Sequence, residues 1–157
     1  MKKSAGILLY KYQDQALLFL LAHPGGPFWK NKDRGSWSIP KGEFSDDENP
    51  LEAAKREFAE ETGQTIDGDF TALAPVKLKS GKKIFAWAIE KNMEDGLVAS
   101  NLFEMEWPPK SGKFQNFPEI DRIQWFSKEQ ALLKINPAQA GFIEQVCSLH
   151  NQYFNCE

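Results

Sequence analysis

Between Gly42 and Gly63 the chain crowds Glu43, Glu48, Glu52, Glu57, Glu60 and Glu61 into GEFSDDENPLEAAKREFAEETG. Carboxylates packed this densely can bind a cation or move a proton, or they can simply solvate a surface helix. The flanking signals predict a helix from about Pro50 to Thr62. Asn49 is a fitting N-cap with Glu52 three residues on, Pro50 suits the first helical position, and Gly63 suits a left-handed stop. At roughly 100° per residue, Leu51, Ala54, Phe58 and Thr62 form an inward stripe, with Glu57 and Glu61 along one edge of it. Glu60 lies about one turn beyond Glu57. Like charges at this spacing cost an isolated helix roughly 0.2–0.5 kcal/mol per pair, and more as solvent screening falls. Arg56 can pair with Glu52 or Glu60 but cannot neutralise three carboxylates, so a divalent metal with hard oxygen ligands is the expected counter-charge.

The fixed spacing argues against mere solvation. Gly42, Glu48, Arg56, Glu57, Phe58, Glu60, Glu61 and Gly63 fall in register with G-x5-E-x7-R-E-U-x-E-E-x-G-U, where U is a bulky apolar residue, and the segment resembles the Nudix box. Gln64 departs, standing where an apolar residue is usual; that position bears on packing after the helix and not on the carboxylates. The stretch WSIPKG leading into the box and the opening SAG resemble the family's diadenosine polyphosphate hydrolases.

The resemblance implies an α+β Nudix fold, an α/β/α sandwich with a mixed sheet between helices. It further implies Mg²⁺ or Mn²⁺ held by Glu57, Glu60, Glu61 and the Gly42 carbonyl. Arg56 and Glu48 would pair to fix the helix against the preceding loop, and Glu60 or Glu119 would take a proton from water. Glu104 and Glu106 are rivals of Glu119 for the further acidic role. The activity implied is hydrolysis of a phosphoanhydride in a small nucleoside polyphosphate, first diadenosine tetraphosphate to ATP and AMP. A nucleoside triphosphate, a nucleotide sugar, a diphosphoinositol polyphosphate or a capped RNA end are alternatives. A non-catalytic nucleotide-binding regulator is the rival from another class, although such modules usually lose box carboxylates and this chain keeps them.

Composition sets limits on the rest. One compact domain over residues 1–157 is expected, with 41% hydrophobic residues, five Trp and twelve Phe to fill a core. A mean hydropathy of -0.51 and the lack of an apolar run near ~20 residues argue against a membrane protein. The basic, briefly apolar start MKKSAGILLYKY turns polar too soon for a signal peptide. A net charge of -3 offers long nucleic acids no general attraction. Cys147 and Cys156 form no C-x-x-C pair, and reduced thiols in the cytoplasm are the simpler expectation; His23 and His150 have no zinc-ligand spacing.

The positioning elements read as follows. Residues 4–12 and 16–23 form strands joined by a tight turn at Gln13-Asp14-Gln15. Pro24 to Arg34 is an ordered loop, in which Trp29 stacks on a base or tucks onto the domain, and Lys30, Lys32 or Arg34 meets phosphate. Phe28 is the weaker aromatic candidate. Residues 36–43 form a short strand broken at Pro40, and Lys41 is either a phosphate contact or an exposed loop lysine. Residues 69–78 and 83–90 form strands around a turn at Lys79-Ser80-Gly81-Lys82, whose lysines read as a solvated tip unless the tip folds over the site. Residues 91–99 read as loop, 102–107 as a half-buried strand, 114–119 as loop and 120–126 as a strand. A short helix follows from Ser127, and another from Pro137 to Tyr153.

Overall fold

A computed structural model of the chain describes residues 2–98 and 100–150. Its first hairpin joins β1 (Lys3–Gln13) to β2 (Ala16–Pro24). Asp14 and Gln15 both take positive φ, 53° and 65°, the backbone a two-residue turn needs to match the twist of its strands. The sheet then assembles around β1. The short strand β3 (Lys41–Phe44) pairs antiparallel with its start, opposite Gly6 to Lys3.

Five further strands complete this sheet. Short β4 (Thr71–Ala72) and β5 (Val76–Lys77) pair with β6 (Lys83–Glu90), which itself runs parallel to β1. Beyond these lie β7 (Gly96–Leu97), β8 (Leu102–Glu106), β9 (Phe114–Pro118) and β10 (Ile120–Ser127). Strand β10 pairs antiparallel with β2 and carries β7 on its far edge, giving the mixed order β4-β6-β1-β2-β10-β7. Strands β8 and β9 form a separate hairpin.

Helices cover both faces of the sheet. On one face α1 (Pro50–Thr62) packs Ala53, Ala54 and the fully buried Phe58 against Ala5, Ile7 and Leu9 of β1. Burying a side chain such as Phe58 is worth about 1.5–3 kcal/mol. On the other face lie α2 (Lys128–Lys134), a 3-10 turn (Pro137–Gln139) and α3 (Ala140–Leu149). Phe142, Ile143 and Val146 of α3 meet Leu8, Ile84, Ala86 and Ala88 there. Strand β1 is therefore apolar on both faces, as a strand covered from both sides must be. This is the expected Nudix α/β/α arrangement. No helix among the described residues is long and apolar enough to cross a membrane.

Several element boundaries differ from the sequence expectation. Residues 36–40 make only isolated bridges, Ser38 to Ala22 and Trp37 to Ile135, and regular pairing starts at Lys41, after Pro40, which has no N–H to donate. The expected strand 69–78 divides into β4 and β5 around Ala74 and Pro75. Within the expected loop 91–99, Gly96 and Leu97 pair with β10. Residues 114–118 are strand, not loop: the tip of the β8/β9 hairpin is closed by Glu106, whose carboxylate accepts the N–H groups of Lys110 and Gly112 at 2.9 and 3.1 Å. Ser127 caps α2, and Pro137 to Gln139 form a 3-10 turn ahead of α3. Tyr153, the expected end of the last helix, and Cys156 lie outside the described residues.

Candidate active site

Helix α1 is held in place at both ends by its own sequence. Asn49 Oδ1 accepts the Glu52 N–H at 3.1 Å, and Gly63, at φ 76°, donates its N–H to the Ala59 carbonyl. Pairing of β3 with β1 sets Gly42 opposite Ala5, beneath the acidic edge of the helix. There the Glu57 carboxylate packs against Gly42 so closely that a Cβ on residue 42 would lie 1.9 Å from Glu57 Oε2. A side chain at residue 42 would have to displace that carboxylate.

Arg56 organises the exposed side of this edge. Its guanidinium donates to both oxygens of Glu48 at 3.1 and 3.2 Å, to Glu57 at 2.8 Å and to Glu60 at 3.4 Å. The expected Arg56–Glu48 pair is present, and Glu57 joins Glu60 as a partner in place of Glu52. Glu61 instead accepts the backbone N–H of Lys41 at 3.2 Å.

These carboxylates are short of positive charge. Burial pushes the Glu61 carboxyl up to about 8, against the pull of Lys41. Burial and then the charge of Glu60 raise Glu57, outweighing Arg56. Glu119 is raised for the same two reasons. Lys41 is shifted down, by burial and then by the charge of Lys82, with Glu61, Glu43 and Glu57 opposing.

The set of Gly42, Glu57, Glu60 and Glu61 is not a closed cage here. Among the described residues no three acidic, imidazole or thiol groups converge as a metal cluster, since Arg56 holds Glu57 and Glu60 while Glu61 faces the Lys41 backbone. Their chemistry nevertheless fits a hard divalent ion. The donors are all oxygens, Glu57 and Glu61 are only 8% exposed, and both resist ionisation where they stand.

Two adjoining cavities meet at this edge and share Lys41 and Glu119. One, of about 380 Å³, is walled by Ser4, Gly42, Glu57, Glu60 and Lys82. The other, of about 220 Å³, reaches from Glu61 to Trp29, Ser36, Ser38 and Gln139. Lys41 and Trp29 thus reach the cavities, whereas Lys30 and Arg34 are exposed and line neither. Glu119 lines both, while Glu104 and Glu106 sit on the separate hairpin and line neither. Phe28 is 52% exposed and packs edge-on against Trp29.

Long-range contacts that sequence spacing did not signal fix the walls. Gln139 is buried; its Oε1 accepts the Ile39 N–H at 3.1 Å and its Nε2 donates to Ser38 Oγ at 3.0 Å, tying the 3-10 turn to the approach to β3. Buried His23 meets the Lys32 carbonyl at 2.6 Å and Asp121 at 3.0 Å, pinning the Trp29 loop to β10. Asp33 accepts from Trp37 Nε1 at 2.7 Å and pairs with Lys134, and these two bonds hold its carboxyl below the usual range. Ser4 lines the cavity with no signal for it in the sequence, and Lys82 lines it as the alternative to a solvated hairpin tip.

The family description NUDIX domain matches residues 1–146. No curated protein matches the chain at a significant level. Among solved structures, a binary complex of C. elegans Ap4A hydrolase superposes with TM-score 0.63 at 20% identity, covering 98% of this chain and 100% of that one. The NUDIX domain of Shewanella oneidensis NrtR complexed with ADP ribose gives 0.62 at 19%, covering 94% and 86%. The MutT protein of Bacillus halodurans gives 0.56 at 17%, covering 93% and 82%. At these identities the likeness is one of fold.

Proposed function

The chain belongs to the Nudix family of pyrophosphohydrolases, and from that premise we propose that it cleaves a phosphoanhydride in a nucleoside polyphosphate, with diadenosine tetraphosphate split to ATP and AMP as the leading reaction. The observation that carries this reading is the joined pair of cavities. One end is acidic and suited to the reacting phosphate, the other carries Trp29, and Lys41 stands where they meet. The fold it shares with C. elegans Ap4A hydrolase supports the same substrate class.

Glu57, Glu60, Glu61 and the Gly42 carbonyl would hold Mg²⁺ or Mn²⁺. When bound, the ion neutralises phosphate charge and makes water a better nucleophile. Arg56, tied to Glu48, fixes the carboxylates of Glu57 and Glu60 at the helix edge. Lys41 pairs with a phosphate oxygen, and Trp29 offers a face to an adenine. Glu119 accepts the proton from water as the new P–O bond forms and the anhydride bond breaks. Its raised proton affinity suits that role, and Glu60 is the less free candidate because Arg56 holds it.

The test is product chromatography after incubation with diadenosine tetraphosphate and Mg²⁺, beside ADP-ribose and a deoxynucleoside triphosphate. Equal ATP and AMP support the reading. ADP alone, or cleavage of only the other two substrates, overturns it.

A further inference from the structure

His23 is buried near the end of β2, 2% exposed, and both of its ring nitrogens are engaged. Nε2 lies 2.6 Å from the Lys32 carbonyl, and Nδ1 lies 3.0 and 3.2 Å from the two oxygens of Asp121. A backbone carbonyl only accepts, so Nε2 carries a proton. As a carboxylate, Asp121 also only accepts, so Nδ1 carries a second one. The two contacts together describe an imidazolium, and its charge strengthens both bonds. Arg122, opposite His23 in the register of β2 and β10, opposes that charge. Asp33 supports it, although it is shared with Lys134; it accepts from the Trp37 indole, which packs 5.0 Å from the imidazole. The carboxylate in contact with the ring decides the balance.

Two groups that line the smaller cavity hang from these two partners. Lys32 donates its N–H to the Trp29 carbonyl at 2.9 Å, so anchoring the Lys32 peptide anchors the turn that carries Trp29. Asp121 is the extra residue of a bulge between Ile120 and Arg122, two positions after Glu119. Such a bulge re-aims side chains, and here Asp121 reaches His23 while Glu119 lines the cavity. The backbones close up beside it. Gly25 donates its N–H to the Glu119 carbonyl at 2.9 Å, and a Cβ on Gly25 would lie 2.1 Å from the Pro118 carbonyl oxygen.

We propose that His23, as an imidazolium bridging the Lys32 carbonyl and the Asp121 carboxylate, is a positioning residue that fixes the span between Trp29 and Glu119. His23 is not among the residues lining that cavity and acts only through its two partners. The use made of Trp29 rests on the nucleotide reading of the function, but the bridge itself is tested without a nucleotide.

The chain has two histidines, so ring-nitrogen NMR of the full ¹⁵N-labelled protein at pH 7 resolves both, and His23→Gln assigns them. Both His23 nitrogens should carry a proton in the wild type. Only Nε2 should carry one in Asp121→Asn, whose amide donates to Nδ1 instead. Hydrogen exchange at the Lys32 amide should quicken about tenfold in Asp121→Ala, the loss of one bond to a charged group, and Asp121→Asn should restore most of the protection. Calorimetric titration with AMP, which has an adenine and no anhydride to cleave, should show about tenfold weaker binding in Asp121→Ala. That loss should vanish when Trp29→Ala is already present. A single ring proton in the wild type, or equal Lys32 exchange in wild type and Asp121→Ala, overturns the bridge. If Asp121→Ala does not fold, the ring protons of wild type and Asp121→Asn decide the matter. An AMP loss of the same size with and without Trp29 overturns the positioning role. If ring protons and exchange behave as expected while the wild type binds no AMP, the bridge stands and the adenine reading of Trp29 falls.

Discussion

The Glu57 carboxylate rests on Gly42, with Oε2 only 1.9 Å from where a Cβ would stand. Gly42→Ala must therefore displace that carboxylate and break its geometry with Arg56. Because the displaced atoms end a side chain, the fold should survive. A shift of about 1 Å at a reacting centre can cost about 100-fold in rate. We expect kcat to fall by that order with a folded circular dichroism spectrum, checked by steady-state kinetics.

Glu61 gives the free protein an unusual pH dependence. Burial raises its folded carboxyl to about 8, well above its unfolded value near 4.5. Between those values the folded state binds more protons than the unfolded one, so stability falls as pH rises from about 5 to 8. Thermal melts across that window should show the decline, and Glu61→Gln should flatten it. Mg²⁺ should raise Tm more at pH 8 than at pH 5, since it favours the ionised carboxylate.

Arg56 spans Glu48, Glu57 and Glu60 with a planar fork that lysine cannot reproduce. Arg56→Lys keeps the charge and should still lower kcat about 10–100-fold, the range for groups that orient metal ligands. Equal kinetics in the two proteins would show that charge alone matters there.

Gln139 closes the other cavity from the far side of the sheet. Gln139→Leu leaves the Ile39 N–H without its acceptor and should destabilise the protein by about 1–3 kcal/mol in urea denaturation. The substituted wall of the cavity should also raise KM.

What the sequence made legible was local. Asn49 and Pro50 mark the start of α1 and Gly63 its end, and the carboxylates follow from its helical spacing. Lys41 and Glu119 were named as candidates because they sit next to recognisable segments. The contacts of His23 with Asp121, and of Gln139 with Ile39, join residues about a hundred positions apart, and no periodicity encodes such pairs. The lysines at 79 and 82 read as a solvated tip unless the tip folds over the site, because a hairpin turn does not say which way it leans. Ser4 sits in a run of apolar strand residues, where a small hydroxyl gives no pattern. Strand β9 was missed because its residues pair only with a neighbouring hairpin strand and present little apolar alternation.

If the acidic edge of α1 is a metal-dependent hydrolytic centre, loss of one of its carboxylates must cripple cleavage. The decisive measurement is the single-turnover rate of diadenosine tetraphosphate cleavage across a Mg²⁺ titration, for wild type and Glu57→Gln of matched thermal stability. Saturable, Mg²⁺-dependent cleavage is expected in the wild type and a loss of about 100-fold or more in the variant. Cleavage at the wild-type rate in Glu57→Gln, with the same Mg²⁺ dependence, would contradict it.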